Sequence, residues 1–131
     1  MSLDVAPTLL RQAEVGEVDA EDFAATVAAS LPYAYALVEK LAADLESGDP
    51  AREFADNVHG PTEAERGQLL RALASDAIRG SLERRFGVKL AFQNCHRVAV
   101  FRPEAAGSQT HRGFISERAQ VLNQSPEFRD C

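Results

Sequence analysis

The chain has 131 residues, of which 45% are hydrophobic and 26% charged, with a formal net charge of −6. A chain of that length can bury a core of its own, and the composition excludes wholesale disorder and the fibrous classes. No apolar run approaches the ~18 residues that a membrane-spanning helix needs. The net charge hides a division: residues 1–65 carry 14 acidic and 3 basic side chains, a formal −11, whereas residues 66–131 carry 6 acidic and 11 basic ones, a formal +5. One globular domain over residues 1–131 is the expected organisation.

In chain order, the first helix is expected behind Asp4 as cap, with Pro7 in its opening turn and an end near Gly16. Asp19 reads as the N-cap of a second helix over residues 20–29, where Glu21 and Asp22 suit the positive end of the macrodipole. Pro32 opens a third helix that runs to Ser47, with Ala34, Leu37, Val38, Leu41, Ala42 and Leu45 on one stripe. Residues 47–61 read as a surface connection, as do residues 102–110.

Thr62-Glu63-Ala64-Glu65 is a capping box and predicts a long helix that continues to Phe86 and closes at Gly87. Its apolar side is Leu69, Leu70, Leu73, Ala74, Ala77 and Ile78. Leu82 and Phe86 fall on the nominally wet side, which calls for a bend at Gly80-Ser81 or a second cover. Residues 88–92 and 97–101 are β-prone and predict a hairpin. Because an isolated hairpin is marginal in water, it must pack on the long helix or find further strands, for which another subunit is one source. A last helix over residues 111–123 is expected to bury Phe114, Ile115, Ala119 and Leu122. The fold class is therefore α+β: mostly helical, about five helices, with one β-hairpin packed on a long capped helix.

Residues 65–80 (ERGQLLRALASDAIRG), 86–101 (FGVKLAFQNCHRVAVF) and 122–131 (LNQSPEFRDC) resemble those of a family of small actinobacterial proteins of unassigned function. The resemblance implies a bacterial, cytoplasmic, single-domain protein and brings no catalytic residues with it. The N-terminal segment lacks the basic and apolar regions of an export signal, and Cys95 and Cys131 are too few for a disulfide scaffold. Both features fit a reduced, cytoplasmic chain. The basic residues comprise 12 Arg and 2 Lys, a bias that also fits a GC-rich bacterial genome.

Cys95-His96 is the catalytic candidate, because an imidazole beside a thiol can lower its pKa. Neighbouring residues on a strand point to opposite faces, so the packed or turn-forming reading of Asn94-Cys95-His96 is favoured. No metal is expected: Cys95, His96, Cys131, His59 and His111 lack the usual ligand spacings. Arg79, Arg84, Arg85, Arg97 and Arg102, with Asn94 and His96, are the ligand- or partner-binding candidates, since guanidinium groups clamp phosphate or carboxylate. The competing and favoured reading pairs these arginines with the acidic half, or with near neighbours such as Asp76 and Glu83. Nucleic acid is disfavoured by the net charge and by the absence of interleaved Tyr or Trp.

No cofactor motif is present. The leading expectation is a non-enzymatic protein-binding or regulatory module that self-associates. It rests on the charge division, the lone hairpin, and Leu82 and Phe86 on the wet side. The alternative is a binding protein or enzyme for a small anionic molecule, with a pocket between the long helix and the hairpin.

Overall fold

The computed structural model describes residues 2–57, 60–93 and 97–122. Pro7–Glu14 forms α1 and Ala20–Ser30 forms α2. Asp19 caps α2 by accepting from the Asp22 N–H at 3.0 Å, as the sequence predicts. Asp4 does not cap α1: Ala6 holds that position, and the Asp4 N–H donates to the Ser30 hydroxyl at 2.9 Å.

Pro32–Ser47 forms α3, with Ala34, Val38, Leu41 and Leu45 on its buried face. Its own N-cap, Leu31, has no polar side chain. Gln68 replaces it, accepting from the N–H groups of Tyr33 and Ala34 at 2.7 and 3.1 Å.

The connection after α3 contains a strand that the sequence reading missed. Phe54–Asp56 is β1, and it pairs antiparallel with Arg97–Phe101, β3. Lys89–Gln93, β2, pairs antiparallel with the other edge of β3, giving the order β1-β3-β2. The hairpin thus gains a third strand from within the chain.

The expected long helix is two helices. Glu63–Leu73, α4, starts at the capping box, in which Glu65 N–H donates to Thr62 Oγ1 at 3.2 Å and Thr62 N–H donates to Glu65 Oε1 at 2.8 Å. It ends at Ala74, where Ser75 turns to an extended backbone and caps Asp76–Phe86, α5, by accepting from the Ile78 N–H at 3.3 Å. The break lies ahead of Gly80-Ser81 and resets the helical phase. Ile78, Ser81 and Leu82 then share one buried face at the i, i+3, i+4 spacing. Leu82 is a core residue, and Phe86 packs edge-on against Tyr35 with ring centroids 5.2 Å apart. Gly87 closes α5 at φ +64°, the left-handed conformation expected of it.

Strand alternation gives the sheet two buried faces. Ala55, Leu90, Phe92, Val98 and Val100 meet α2, α3, α4 and α5 in the larger core. Phe54, Ala91, Ala99 and Phe101 face a smaller cluster closed by Ala105 and Phe114. Ala105 belongs to the 3-10 turn Pro103–Ala105, and Phe114 ends Gln109–Phe114, α6. Phe101 stacks on Phe54 at 5.0 Å and meets Phe114 edge-on at 5.8 Å.

Glu117–Leu122, α7, follows as a separate helix with no buried residue. The expected single C-terminal helix is therefore split at Ser116, whose hydroxyl accepts from the Ala119 N–H at 3.1 Å. Of its expected buried residues only Phe114 is buried; Ile115 and Leu122 are exposed and Ala119 is partly covered. No helix among the described residues is long and apolar enough to cross a membrane.

Truncating Leu82 to Ala is expected to cost about 2–5 kcal/mol in chemical denaturation, the range for a fully buried leucine. Leu70→Ala, on the exposed side of α4, is expected to cost less than about 1 kcal/mol. Equal costs at the two positions would contradict the helix break.

Candidate functional site

The candidate arginines do not converge on one site. Arg79 spans the α4–α5 junction, where it donates to the Leu73 carbonyl at 2.9 Å and pairs with Asp76 at 2.5 Å. The first bond closes the C-terminal end of α4, so Arg79 acts as a cap between helices. Arg102 has a similar task, donating to the Leu45 and Arg52 carbonyls at 2.7 Å each and tying the end of β3 to the end of α3.

Arg97 lies on the smaller face of the sheet. Its Nε and Nη2 donate to Asp56 Oδ2 at 2.9 and 2.7 Å, Nη1 donates to Gln93 Oε1 at 3.3 Å, and the guanidinium stands 5.1 Å from the centroid of the Phe114 ring. Gln93 is itself buried and donates to the Phe114 carbonyl at 2.6 Å. This chain of contacts fixes α6 to the sheet and occupies the fork of Arg97.

Four ion pairs form among the described residues: Lys40–Asp44, Arg79–Asp76, Lys89–Glu83 and Arg97–Asp56. The last alone joins the acidic half to the basic half. Glu83 pairs with Lys89 and accepts from the Leu90 N–H at 2.9 Å, which docks β2 on α5 instead of neutralising an arginine. Self-pairing across the halves therefore explains Arg97, a near neighbour explains Arg79, and backbone carbonyls explain Arg102.

Arg84 and Arg85 stand apart from this pattern. Both are exposed on α5, and among the described residues neither lies within ion-pair distance of a carboxylate. Arg85 approaches only the Phe86 ring, at 5.6 Å. Together with Ser81 they line a recess of about 140 Å³ whose other wall is Ala20, Glu21 and Ala24 of α2. Their charge marks the two arginines in the sequence, whereas the burial of Ser81 leaves no mark there.

Two further recesses occur among the described residues. One of about 280 Å³ is lined by Arg102, Glu46, Glu104 and apolar residues at the ends of α3 and α5. The other, about 430 Å³ and open, runs along Gly67, Leu70, Arg71, Ala74 and Ser75 of the α4–α5 junction. Neither Arg79 nor Arg97 lines any of the three. The boundary between α5 and the sheet, where the anion pocket was expected, holds the buried side chains of Ile78, Leu82, Leu90, Val98 and Val100.

Asn94, Cys95 and His96 lie outside the described residues, as do His59 and Cys131. Among the described residues no group of three or more His, Cys, Asp or Glu side chains is placed to hold a metal ion. His111 is occupied structurally: its Nδ1 accepts from the Gly107 N–H at 3.1 Å, and its ring meets Phe101 edge-on at 5.0 Å.

The structure thus defines a class: a mostly helical α+β protein built on a three-stranded antiparallel sheet with helices against both faces. A family profile named KH NucS shadow and described as "NucS shadow ORF" matches residues 1–131, and the chain belongs to that family. Neither a curated protein nor a solved structure matches the chain with significance.

The half-buried Arg97–Asp56 pair and the exposed Arg79–Asp76 pair differ in energetic weight. Removing the partner strands a guanidinium only where water is scarce. Asp56→Ala is expected to destabilise the fold by about 1–3 kcal/mol, and Asp76→Ala by less than about 1 kcal/mol. Urea midpoints that rank the two the other way would contradict the assignment.

The phenol of Tyr33 is pushed above its ordinary value of 10.0, first by burial and then by the Glu65 carboxylate. The folded state therefore holds this proton more tightly than the unfolded chain. Its contribution to stability is complete below about pH 10 and is lost as pH rises through the raised value. Tyr33→Phe is expected to reduce the alkaline loss of stability, as measured by urea midpoints on either side of pH 10. An unchanged pH dependence would contradict the expectation.

Proposed function

We propose that the chain is a non-enzymatic protein-binding or regulatory module that self-associates, and that it works in the cytoplasm of an actinobacterial cell. The observation that carries the binding reading is the α1–α2 corner. Val5, Leu10, Val15 and Val18 are each 44% exposed or more, within one short stretch where Leu9 is the only large side chain buried. Helix α1 spans 8 residues, too few to persist alone in water, and it is tethered largely by polar bonds. Gln12 donates to Asp22 at 2.8 Å and accepts from the Asp19 N–H at 2.9 Å.

Four large aliphatic groups on so lightly anchored a corner are better accounted for by a partner than by folding. Glu14, Glu17, Asp19 and Glu21 surround them with negative charge, so the fitting partner is an apolar surface with a basic rim. A second copy supplies that chemistry through its own basic half, formally +5 over residues 66–131. Two grounds for self-association no longer contribute, since the third strand comes from within the chain, Leu82 belongs to the core and Phe86 is half-buried against it. The actinobacterial assignment is supported by the three resembling strings and by the preference for Arg over Lys.

The label KH in the family name brings nucleic acid forward as a rival partner. KH modules clamp a nucleic-acid backbone with a Gly-X-X-Gly loop. No two of the 8 glycines in this sequence are three apart, so that clamp has no counterpart here. With a net charge of −6, protein remains the better partner. The family description assigns no activity, and the non-enzymatic reading rests on the absence of a recognisable catalytic motif in the sequence.

Sedimentation velocity across a concentration series tests the proposal. The expected result is a dimer at high micromolar concentration that weakens with salt and is abolished in Leu10→Asp/Val15→Asp, with circular dichroism unchanged. A wild-type chain that stays monomeric throughout the series would overturn it.

A further inference from the structure

We propose that the recess between α2 and α5 binds a small oxyanion, a phosphate or carboxylate group. Ser81, Arg84 and Arg85 lie at i, i+3 and i+4 on α5 and so present one face to α2. Ser81 is only 5% exposed, and its hydroxyl has no hydrogen-bond partner among the described residues. Buried polar groups are nearly always satisfied, so an unpartnered hydroxyl lining a recess beside two guanidinium groups that have no carboxylate partner among the described residues marks a place for an acceptor. An oxyanion is the acceptor that matches two guanidinium forks and a hydroxyl together.

Gly80 and the N-terminal end of α2 complete the surroundings of the recess. Glycine inside a helix is unfavourable relative to alanine, so a helical glycine calls for a local reason. A Cβ at Gly80 would stand 3.2 Å from Arg84 Nη1. The Arg84 guanidinium thus folds back against its own helix over Gly80, while its side chain borders the recess. On the opposite wall, Ala20 and Glu21 are the first two residues of the 11-residue α2, whose N-terminal end carries partial positive charge.

The recess also sets the size and charge of the ligand. At about 140 Å³ it admits a phosphate or a short carboxylate but falls below the range of drug-sized ligand pockets. Among the described residues Glu21 is the one carboxylate that lines it, and it opposes the second charge of a dianion. A monoanion is therefore preferred, and Glu21 acts as a charge filter. The site does not depend on self-association: it is read by α5 side chains, which the Leu10 and Val15 substitutions leave in place.

Amide chemical-shift titrations of the full chain test the proposal, with inorganic phosphate and acetate as separate arms and chloride at matched ionic strength as the control. Saturable shifts centred on Ala20, Glu21 and Ser81 are expected in at least one oxyanion arm, and the stronger arm identifies the preferred group. Ser81→Ala and Arg84→Gln should each weaken binding about tenfold, the usual effect of removing a hydrogen bond to a charged group. Glu21→Gln should strengthen it. Arg84 is exposed, so its variant keeps the fold and serves as the control if Ser81→Ala disturbs packing. Shifts that do not saturate, or that are equally strong in the wild type and Arg84→Gln, would overturn the assignment.

Discussion

The rest of the structure depends on β3, a strand with a neighbour on each edge and a hydrophobic layer on each face. Val98, Ala99, Val100 and Phe101 are all 0% exposed, which only a central strand covered on both sides achieves. Once it is fixed, Val98 and Val100 must meet the helices α3 and α5, while Ala99 and Phe101 must meet α6 and the turn before it. A one-residue slip in pairing would exchange the two sets and present Phe101 to a layer shaped for Val100. The register of both neighbouring strands is therefore set by the different volumes of the two cores.

The same strand explains how two halves of opposite charge form one structure. Of the four ion pairs among the described residues only Arg97–Asp56 crosses the division. Backbone pairing joins the halves through β1 and β3, and the Gln68 side chain joins them again by capping α3 from α4. Arginines reinforce the seams by donating to carbonyls: Arg102 holds the end of α3, Arg79 the end of α4 and Arg52 the Phe54 carbonyl at 2.8 Å. These bonds satisfy acceptors that helix ends and strand ends leave open. Arg84 and Arg85, which do neither, are left for other chemistry.

Much of the helical architecture was legible because it is written in local chemistry. Asp19, the Thr62 capping box, Pro32 and Gly87 each mark a boundary by a mechanism that acts within a few residues. The helix break at Ala74-Ser75 was hidden because Leu69, Leu73, Ala77 and Ile78 still fall within one broad half of a continuous helical wheel. Ser75-Asp76 was the available signal, a capping serine followed by an acid, and periodicity outweighed it. Strand β1 was harder to see: three residues carry almost no periodic pattern, and Phe54 and Ala55 acquire meaning only opposite Phe101 and Val100. The candidate site was legible in part for a related reason. Charge shows in a sequence, so Arg84 and Arg85 stood out, whereas the burial of Ser81 and the crowding beside Gly80 arise only when α2 packs on α5.

The central claim is that β3 is paired on both edges within a single chain. Native-state hydrogen exchange measures this directly, because an amide in a doubly paired, doubly covered strand opens only with global unfolding. The account predicts that the sheet amides of β3, together with the β1 amides bonded to it, exchange with the free energy of global unfolding and are already protected at concentrations where the chain is a monomer. Fast exchange along β1, or protection of β3 that appears only as the concentration rises, would contradict it.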